Sequence, residues 1–190
     1  MKNRINNMTE KKEQPKEEGI PSELGGQPCP VCGQNTLTLR ESTRDVPFFG
    51  EIMLYSMACS NCGFFKSDIE TENAGNPVKI VYEINSEEDM KTRVIKSSSA
   101  TIKIPRITTI DPGNSSVGYV SNIEGLFNRV KRQIEKIRDD SDDKAERNKA
   151  KNLLKKIRKI MWGEESIKIT IIDPNGNSAI VSEKAIVSKK

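Results

Sequence analysis

From Val78 onward the chain alternates short β-branched stretches with clusters of turn-forming residues. Val78 to Ile84, Thr92 to Lys96, Ala100 to Ile104, Ser116 to Val120, Ile167 to Ile172 and Ser178 to Val181 each read as a strand. Ile, Val and Thr suit a pleated, half-buried surface, and Gly, Pro, Asn and Asp punctuate the gaps. Several short strands spaced in this way predict a β-sandwich or β-roll. Asp173-Pro174-Asn175-Gly176-Asn177 is a strong turn signal and is expected to close a hairpin between the last two long strands.

The period changes from two to three-four in two places. Ile123, Leu126, Phe127, Val130, Ile134 and Ile137 form one amphipathic stripe, and Ala150, Leu153, Leu154, Ile157, Ile160 and Met161 form another. Ser121 with Glu124 three residues on suggests a capping box for the first helix. Ser141 or Asp142 is the expected start of the second, and Gly163 is placed to stop it. The acidic loop Asp139 to Asp143 joins the pair, which predicts an antiparallel helical hairpin inserted peripherally in the β-domain.

Organisation follows from these patterns. Residues 1–24 mix Lys, Glu, Asn, Gln, Pro and Gly without apolar periodicity and are expected to be a disordered tail. Residues 25–72 form a cysteine-bearing module, 73–184 the β-domain with its hairpin at about 121–162, and 185–190 a short tail. With 190 residues the chain can bury a real core, mostly aliphatic because aromatic residues are 5% of the total. No stretch approaches the roughly 18 apolar residues that cross a bilayer, and the first 18 residues lack the apolar run of a secretory signal. The expected compartment is therefore the cytosol, without membrane contact.

Histidine is absent. That removes the commonest general base, Ser-His and Cys-His nucleophile pairs, and the two-His, one-carboxylate iron site, so a non-enzymatic role is expected. The net charge of +4 is unevenly placed: residues 121–161 hold thirteen Lys or Arg against seven Asp or Glu. Lys151, Lys155 and Lys159 belong to a basic face on the second helix that could meet an acidic partner or phosphates. No aromatic residue interleaves those charges to stack bases, which favours a solvated face over a nucleic-acid site. Ser97-Ser98-Ser99, without a partner histidine or a phosphate-binding glycine pattern, reads as a polar strand connection. Trp162 is expected to pack the helix end against the sheet.

Four cysteines carry the clearest chemistry. Cys29-Pro30-Val31-Cys32 and Cys59-Ser60-Asn61-Cys62 are each followed by glycine, Gly33 and Gly63. Each pair offers two thiolates from one tight turn, and two such turns complete a tetrahedron around a single zinc ion. Four protein ligands leave no open coordination position, so the zinc is expected to be structural. The absence of an export signal disfavours disulfides, while iron–sulfur ligation and redox chemistry are the other readings of the same residues. The 26 residues between the pairs exceed the usual zinc-ribbon gap of about 15 to 20, which predicts a hairpin with a long tip over Arg40 to Glu51. Phe48 and Phe49 in that tip either cap the module's core or present an apolar anchor to a partner.

Cys29-Pro30-Val31-Cys32-Gly33, Val46-Pro47-Phe48-Phe49-Gly50-Glu51, Cys59-Ser60-Asn61-Cys62-Gly63, Ser98 to Pro105, Ser121 to Leu126 and Asp173 to Ser178 follow one another in the order of the ZPR-type zinc-finger domain. The chain resembles that family from Cys29 to about Val181. The resemblance implies a mainly β fold with an α insert: an N-terminal zinc ribbon followed by a double-stranded β-helix carrying an antiparallel helical hairpin. It also implies a partner, because eukaryotic members carry two tandem copies and bind elongation factor one-alpha, assisting that GTPase's folding. One copy is present here, as in short archaeal-type members. Three function classes follow: a zinc-binding adaptor or chaperone-like protein for a translational GTPase, an RNA- or ribosome-associated zinc-ribbon protein using the basic helix, and an enzyme using the β-helix cavity. The third lacks the histidines that metal-dependent oxygenases of that shape employ.

Overall fold

The structure, a computed structural model, describes residues 22–47, 49–71, 74–113 and 116–189. Its first unit is an antiparallel meander of β1 (Ser22–Gln27), β2 (Leu37–Val46), β3 (Gly50–Cys59) and β4 (Phe65–Thr71), hydrogen-bonded in that order. β2 and β3 pair without interruption from Leu37 opposite Cys59 to Val46 opposite Gly50. The long gap between the cysteine pairs is thus taken up by strand length, not by the expected long tip. Pro47 occupies the second position of a turn closed by Phe49 N–H donating to the Val46 carbonyl at 2.9 Å, where its missing amide proton is not needed. The expected tail also loses its last three residues: Ser22 to Leu24 pair with Leu39 to Glu41. β1 is exposed along nearly its whole length, so backbone pairing with the free edge of β2 defines it, and no hydrophobic alternation announced it. Residues 1–21 lie outside the described residues.

The second unit is a roll of two facing antiparallel sheets. The larger runs β12 (Ile186–Lys189), β5 (Val78–Ile84), β10 (Ile167–Asp173), β7 (Thr101–Ile104) and β8 (Thr108–Ile110); the smaller runs β11 (Ala179–Val181), β6 (Arg93–Lys96) and β9 (Tyr119–Asn122). Ile80, Tyr82 and Ile84 of β5 and Ile167, Ile169 and Ile171 of β10 face the same core, as period-two alternation requires. Two expectations fail here. The turn after Asp173 closes no hairpin, because β10 is already flanked by β5 and β7; instead it passes the chain across to the smaller sheet, where β11 pairs with β6. The tail expected over 185–190 is a strand over Ile186–Lys189: β12 occupies the remaining edge of β5, with Ile186 opposite Val81.

Between β9 and β10 run α1 (Ile123–Asp140) and α2 (Lys144–Met161), packed as a hairpin. Their caps differ from those expected. Asn122 caps α1 by accepting the Gly125 amide at 2.7 Å, and Asp143 caps α2 by accepting the Ala145 amide at 2.8 Å. Both lie one or two residues beyond the predicted positions, and both are strong cap formers. The hairpin is not peripheral. Ile123, Leu126, Phe127, Ile157 and Ile160 are buried in the same cluster as the strands, so the two helices close one side of the main core. Trp162 is 61% exposed, with the Arg158 guanidinium 5.8 Å from its ring centroid, and does not pack against the sheet as expected. Among the described residues no helix is long and apolar enough to cross a membrane.

The smaller sheet is buried on both faces. Val94 points into the main core, whereas Ile95, the next residue, joins Val46, Ile52 and Ile69 of the meander in a second apolar cluster. Polar contacts extend this junction: Gly118 N–H donates to the Ser67 carbonyl, Ser67 Oγ donates back to the Gly118 carbonyl, both at 2.8 Å, and Thr71 N–H donates to Asn177 Oδ1 at 3.1 Å. A Cβ on Gly118 would lie 2.8 to 3.0 Å from Asp68 Oδ1, Asp68 Cα and Ile69 N, so the approach of the two units requires glycine.

Candidate metal centre

The two cysteine turns are built alike. Gly33 N–H donates to the Cys29 carbonyl at 2.9 Å and Gly63 N–H to the Cys59 carbonyl at 3.1 Å. Both glycines adopt left-handed backbones, with φ of 71° and 72°, which is the conformation an L side chain rarely takes. The register of β2 and β3 places Leu37, just after the first turn, opposite Cys59, the first residue of the second. That pairing brings four cysteines distant in sequence to one point.

All four sulfur atoms lie within 4.8 Å of one another, and the Cys29–Cys62 and Cys32–Cys59 separations are both 3.7 Å. A disulfide would require about 2.05 Å. A tetrahedral zinc with Zn–S of about 2.3 Å has S···S edges of about 3.8 Å, so the arrangement fits one such ion. Cys29 and Cys59 are buried, Cys32 is half-buried and Cys62 is exposed. Leu37, Leu39, Met57 and Phe64 pack against the buried pair and form the small apolar core beneath the site.

The surroundings favour thiolates unequally. Thr36 Oγ1 lies 3.2 Å from Cys59 Sγ; this hydroxyl, followed by the backbone amides of Cys62 and Asn61, lowers the Cys59 thiol to about 6. The Asn61 side chain and the Gln34 amide lower Cys32. For Cys62 the Phe64 amide acts in the same direction, but partial desolvation within the cluster and the three neighbouring sulfurs outweigh it and push the thiol up to about 12. Four adjacent thiols cannot all ionise by themselves, and a dication among them supplies the compensating charge. Thr36, two residues beyond Gln34 in an ordinary loop, carried no sequence signal of this supporting role.

Residues 26–76 match the ZPR1 zinc-finger domain, and residues 88–189 match the ZPR1 jelly-roll domain. The chain belongs to the ZPR1 family. A ZPR1-like protein of Methanocaldococcus jannaschii is 37% identical over 82% of this chain and 79% of its own length. A ZPR1-like protein of Pyrococcus horikoshii is 34% identical over 82% of this chain and 72% of its own. The zinc finger chaperone zpr1 of Schizosaccharomyces pombe is 29% identical over 80% of this chain but only 33% of its own length. This ZPR1 chain therefore holds a single ribbon and jelly-roll pair and spans about a third of that larger relative. The double-stranded β-helix expected from the resemblance is the jelly roll observed.

The remaining sequence-predicted site residues are scattered. Phe48 lies outside the described residues. Phe49 is half-buried against the cluster of Val46, Ile52, Ile69 and Ile95, so the far end of the ZPR1 ribbon is seated on the jelly roll and does not project freely. Lys151, Lys155 and Lys159 are exposed on α2, far in sequence and element from the ribbon. Ser97 and Ser99 do form a polar connection: both hydroxyls donate to the buried carboxylate of Asp173 at 2.8 Å, and Ser178 Oγ donates to it at 2.7 Å. These bonds hold the corner where the chain changes sheets.

Proposed function

We propose that this ZPR1-family chain is a non-catalytic, client-binding protein of the chaperone type, acting in the cytoplasm on a translational GTPase of the elongation factor one-alpha kind. In this reading Cys29, Cys32, Cys59 and Cys62 ligate one zinc ion whose role is to fold the ribbon. Structural zinc in small domains contributes an apparent ~10–16 kcal/mol, more than the few apolar residues under this site can supply. The observation that carries the proposal is the likeness to the S. pombe zinc finger chaperone over 80% of this chain, combined with a cysteine set that leaves a zinc ion no open position for substrate.

The contact surface we assign is the outer face of α2. Lys144, Arg147, Lys151, Lys155, Arg158 and Lys159 are all exposed there, and Trp162 stands at its end as an aromatic anchor. An acidic client surface would be steered by the charges, and the energy would concentrate at the aromatic group. Phe49 serves the junction between ribbon and jelly roll in this account, the first of the two roles open to it from the sequence. The test is calorimetric titration of the zinc-loaded chain with a purified elongation factor of this kind. A stoichiometric complex weakened by Trp162→Ala and by exchange of Lys151, Lys155 and Lys159 for Ser supports the reading. Absence of binding, with salt-dependent RNA binding lost in the lysine variant, assigns the basic face to nucleic acid instead; Arg158 beside the exposed Trp162 ring would then serve base stacking.

A further inference from the structure

The inner face of the smaller sheet carries a charge that the zinc centre and the client surface do not use. Alternation along β6 sends Lys96 to the same side as Val94, and the residue is only 2% exposed. Its ammonium donates to the Ser97 carbonyl at 2.9 Å and reaches Ser116 Oγ at 3.4 Å, which accounts for two of its three protons. No carboxylate among the described residues forms an ion pair with it. Burial lowers its pKa against the longer-range pull of Asp68 and Asp173, and Arg129 lowers it further.

Arg129 comes from α1. Its guanidinium lies 4.1 Å from the ring centroid of Tyr119, the cross-strand partner of Lys96, and the Lys96 ammonium is 5.9 Å from the same centroid. Two cations thus face one ring. They line a cleft of about 550 Å³ between α1 and β8, with Ile110, Val130 and Ile134 as apolar wall and Arg132 as a third cation. Among its described lining residues Asp111 is the one carboxylate, and its contact is with Thr101. A volume of this size is usual for a small-molecule site, and a buried ammonium without a direct ion pair beside two arginines is an environment an anion satisfies.

We propose that this cleft binds a small organic oxyanion, a phosphate ester or carboxylate with an apolar portion, whose charged end is received by Lys96 and Arg129 and whose apolar part lies on Ile110, Val130 and Ile134. Arg129 presents a planar donor fork to two oxygens, and Lys96 supplies its free proton from the floor. The proposal stands independently of the client reading, since the cleft shares no residue with the basic face of α2 or with the cysteines.

The experiment is calorimetric titration of the zinc-loaded full chain with phenyl phosphate, benzoate and benzyl alcohol. At least one of the two anions saturates at millimolar concentration, the neutral alcohol binds at least about tenfold more weakly, and Lys96→Met and Arg129→Gln each weaken the anion at least about tenfold. Lys96→Met folds at least as stably as the parent in thermal melts, because it removes a buried charge that has no ion-pair partner. Should that variant not fold, Arg129→Gln, altered at an exposed side chain, decides by itself. A preference between phosphate and carboxylate identifies the headgroup. Saturation by neither anion, or equal affinity in parent and variants, overturns the proposal.

Discussion

Gly118→Ala should separate the ribbon from the jelly roll without touching the metal. The added methyl would sit 2.8 Å from Asp68 Oδ1, 2.9 Å from Asp68 Cα and 3.0 Å from Ile69 N. Two of these are backbone atoms, and the Asp68 carboxylate is held by the Ser98 and Ile69 amides at 2.8 and 2.9 Å, so no side-chain rotation relieves the clash. Gly118 does not adopt a left-handed backbone, which leaves steric overlap as the cause. Overpacking of this kind costs about 1–3 kcal/mol, and loosening the paired bonds with Ser67 adds about 1 kcal/mol for each bond lost. The expected destabilisation is thus about 3 kcal/mol, read from urea denaturation followed by circular dichroism, with zinc content unchanged. Gly113→Ala, where a Cβ meets nothing within 4 Å, is the control and should shift stability by less than about 0.5 kcal/mol. Equal stability of the two variants would refute the tight junction.

Other outcomes follow from the same structure. Asp89, almost fully buried, accepts from Tyr82 Oη, Lys184 Nζ, Ser86 and the Asn85 amide; burial alone would raise its pKa, but these donors hold it well below the usual carboxylate range. Its stabilisation is therefore fully present above the ordinary value of about 3.9 and is lost as pH falls below it, so Asp89→Asn should cost about 2 kcal/mol at pH 7 and progressively less in acid. A parallel pH profile for parent and variant would contradict this. Ile157→Ala should cost about 2–5 kcal/mol because that side chain, 1% exposed, sits in the main core, whereas Lys155→Glu should change stability by less than about 0.5 kcal/mol in the same thermal melts. Cys59→Ser should leave purified protein without stoichiometric zinc and with the ribbon open to protease, while a protease-resistant ribbon in that variant would show that metal is not its main support.

Much of the jelly roll was legible because its longest strands are also its most apolar. Val78 to Ile84 matches β5 at both ends, and Ile167 to Ile172 falls one residue short of β10. Both are central or nearly so, and their Ile-rich composition reflects burial against the helices. Edge strands were harder to see. β1 and β12 are exposed and owe their existence to free edges of β2 and β5, a long-range property absent from local composition. The corner at Asp173 was recognised as a turn, but whether a turn closes a hairpin or changes sheets depends on which edges are already occupied. The helical stripes were clear, yet their depth was not: a stripe shows which face is buried but not that Leu126 and Phe127 enter the main core. At the metal centre the cysteine spacing identified the ligand types directly, whereas Thr36 and the strand register that assembles the four sulfurs needed the fold. Lys96 was hidden because one lysine at a strand end reads as solvated until its neighbours are placed.

The most direct measurement of the central claim is X-ray absorption at the zinc edge together with metal analysis of the purified full chain. The account predicts one zinc per chain, coordinated by four sulfur atoms at about 2.3 Å with no nitrogen or oxygen ligand. Substoichiometric zinc, a light-atom scatterer in the first coordination sphere, or four cysteines recovered as disulfides would contradict it.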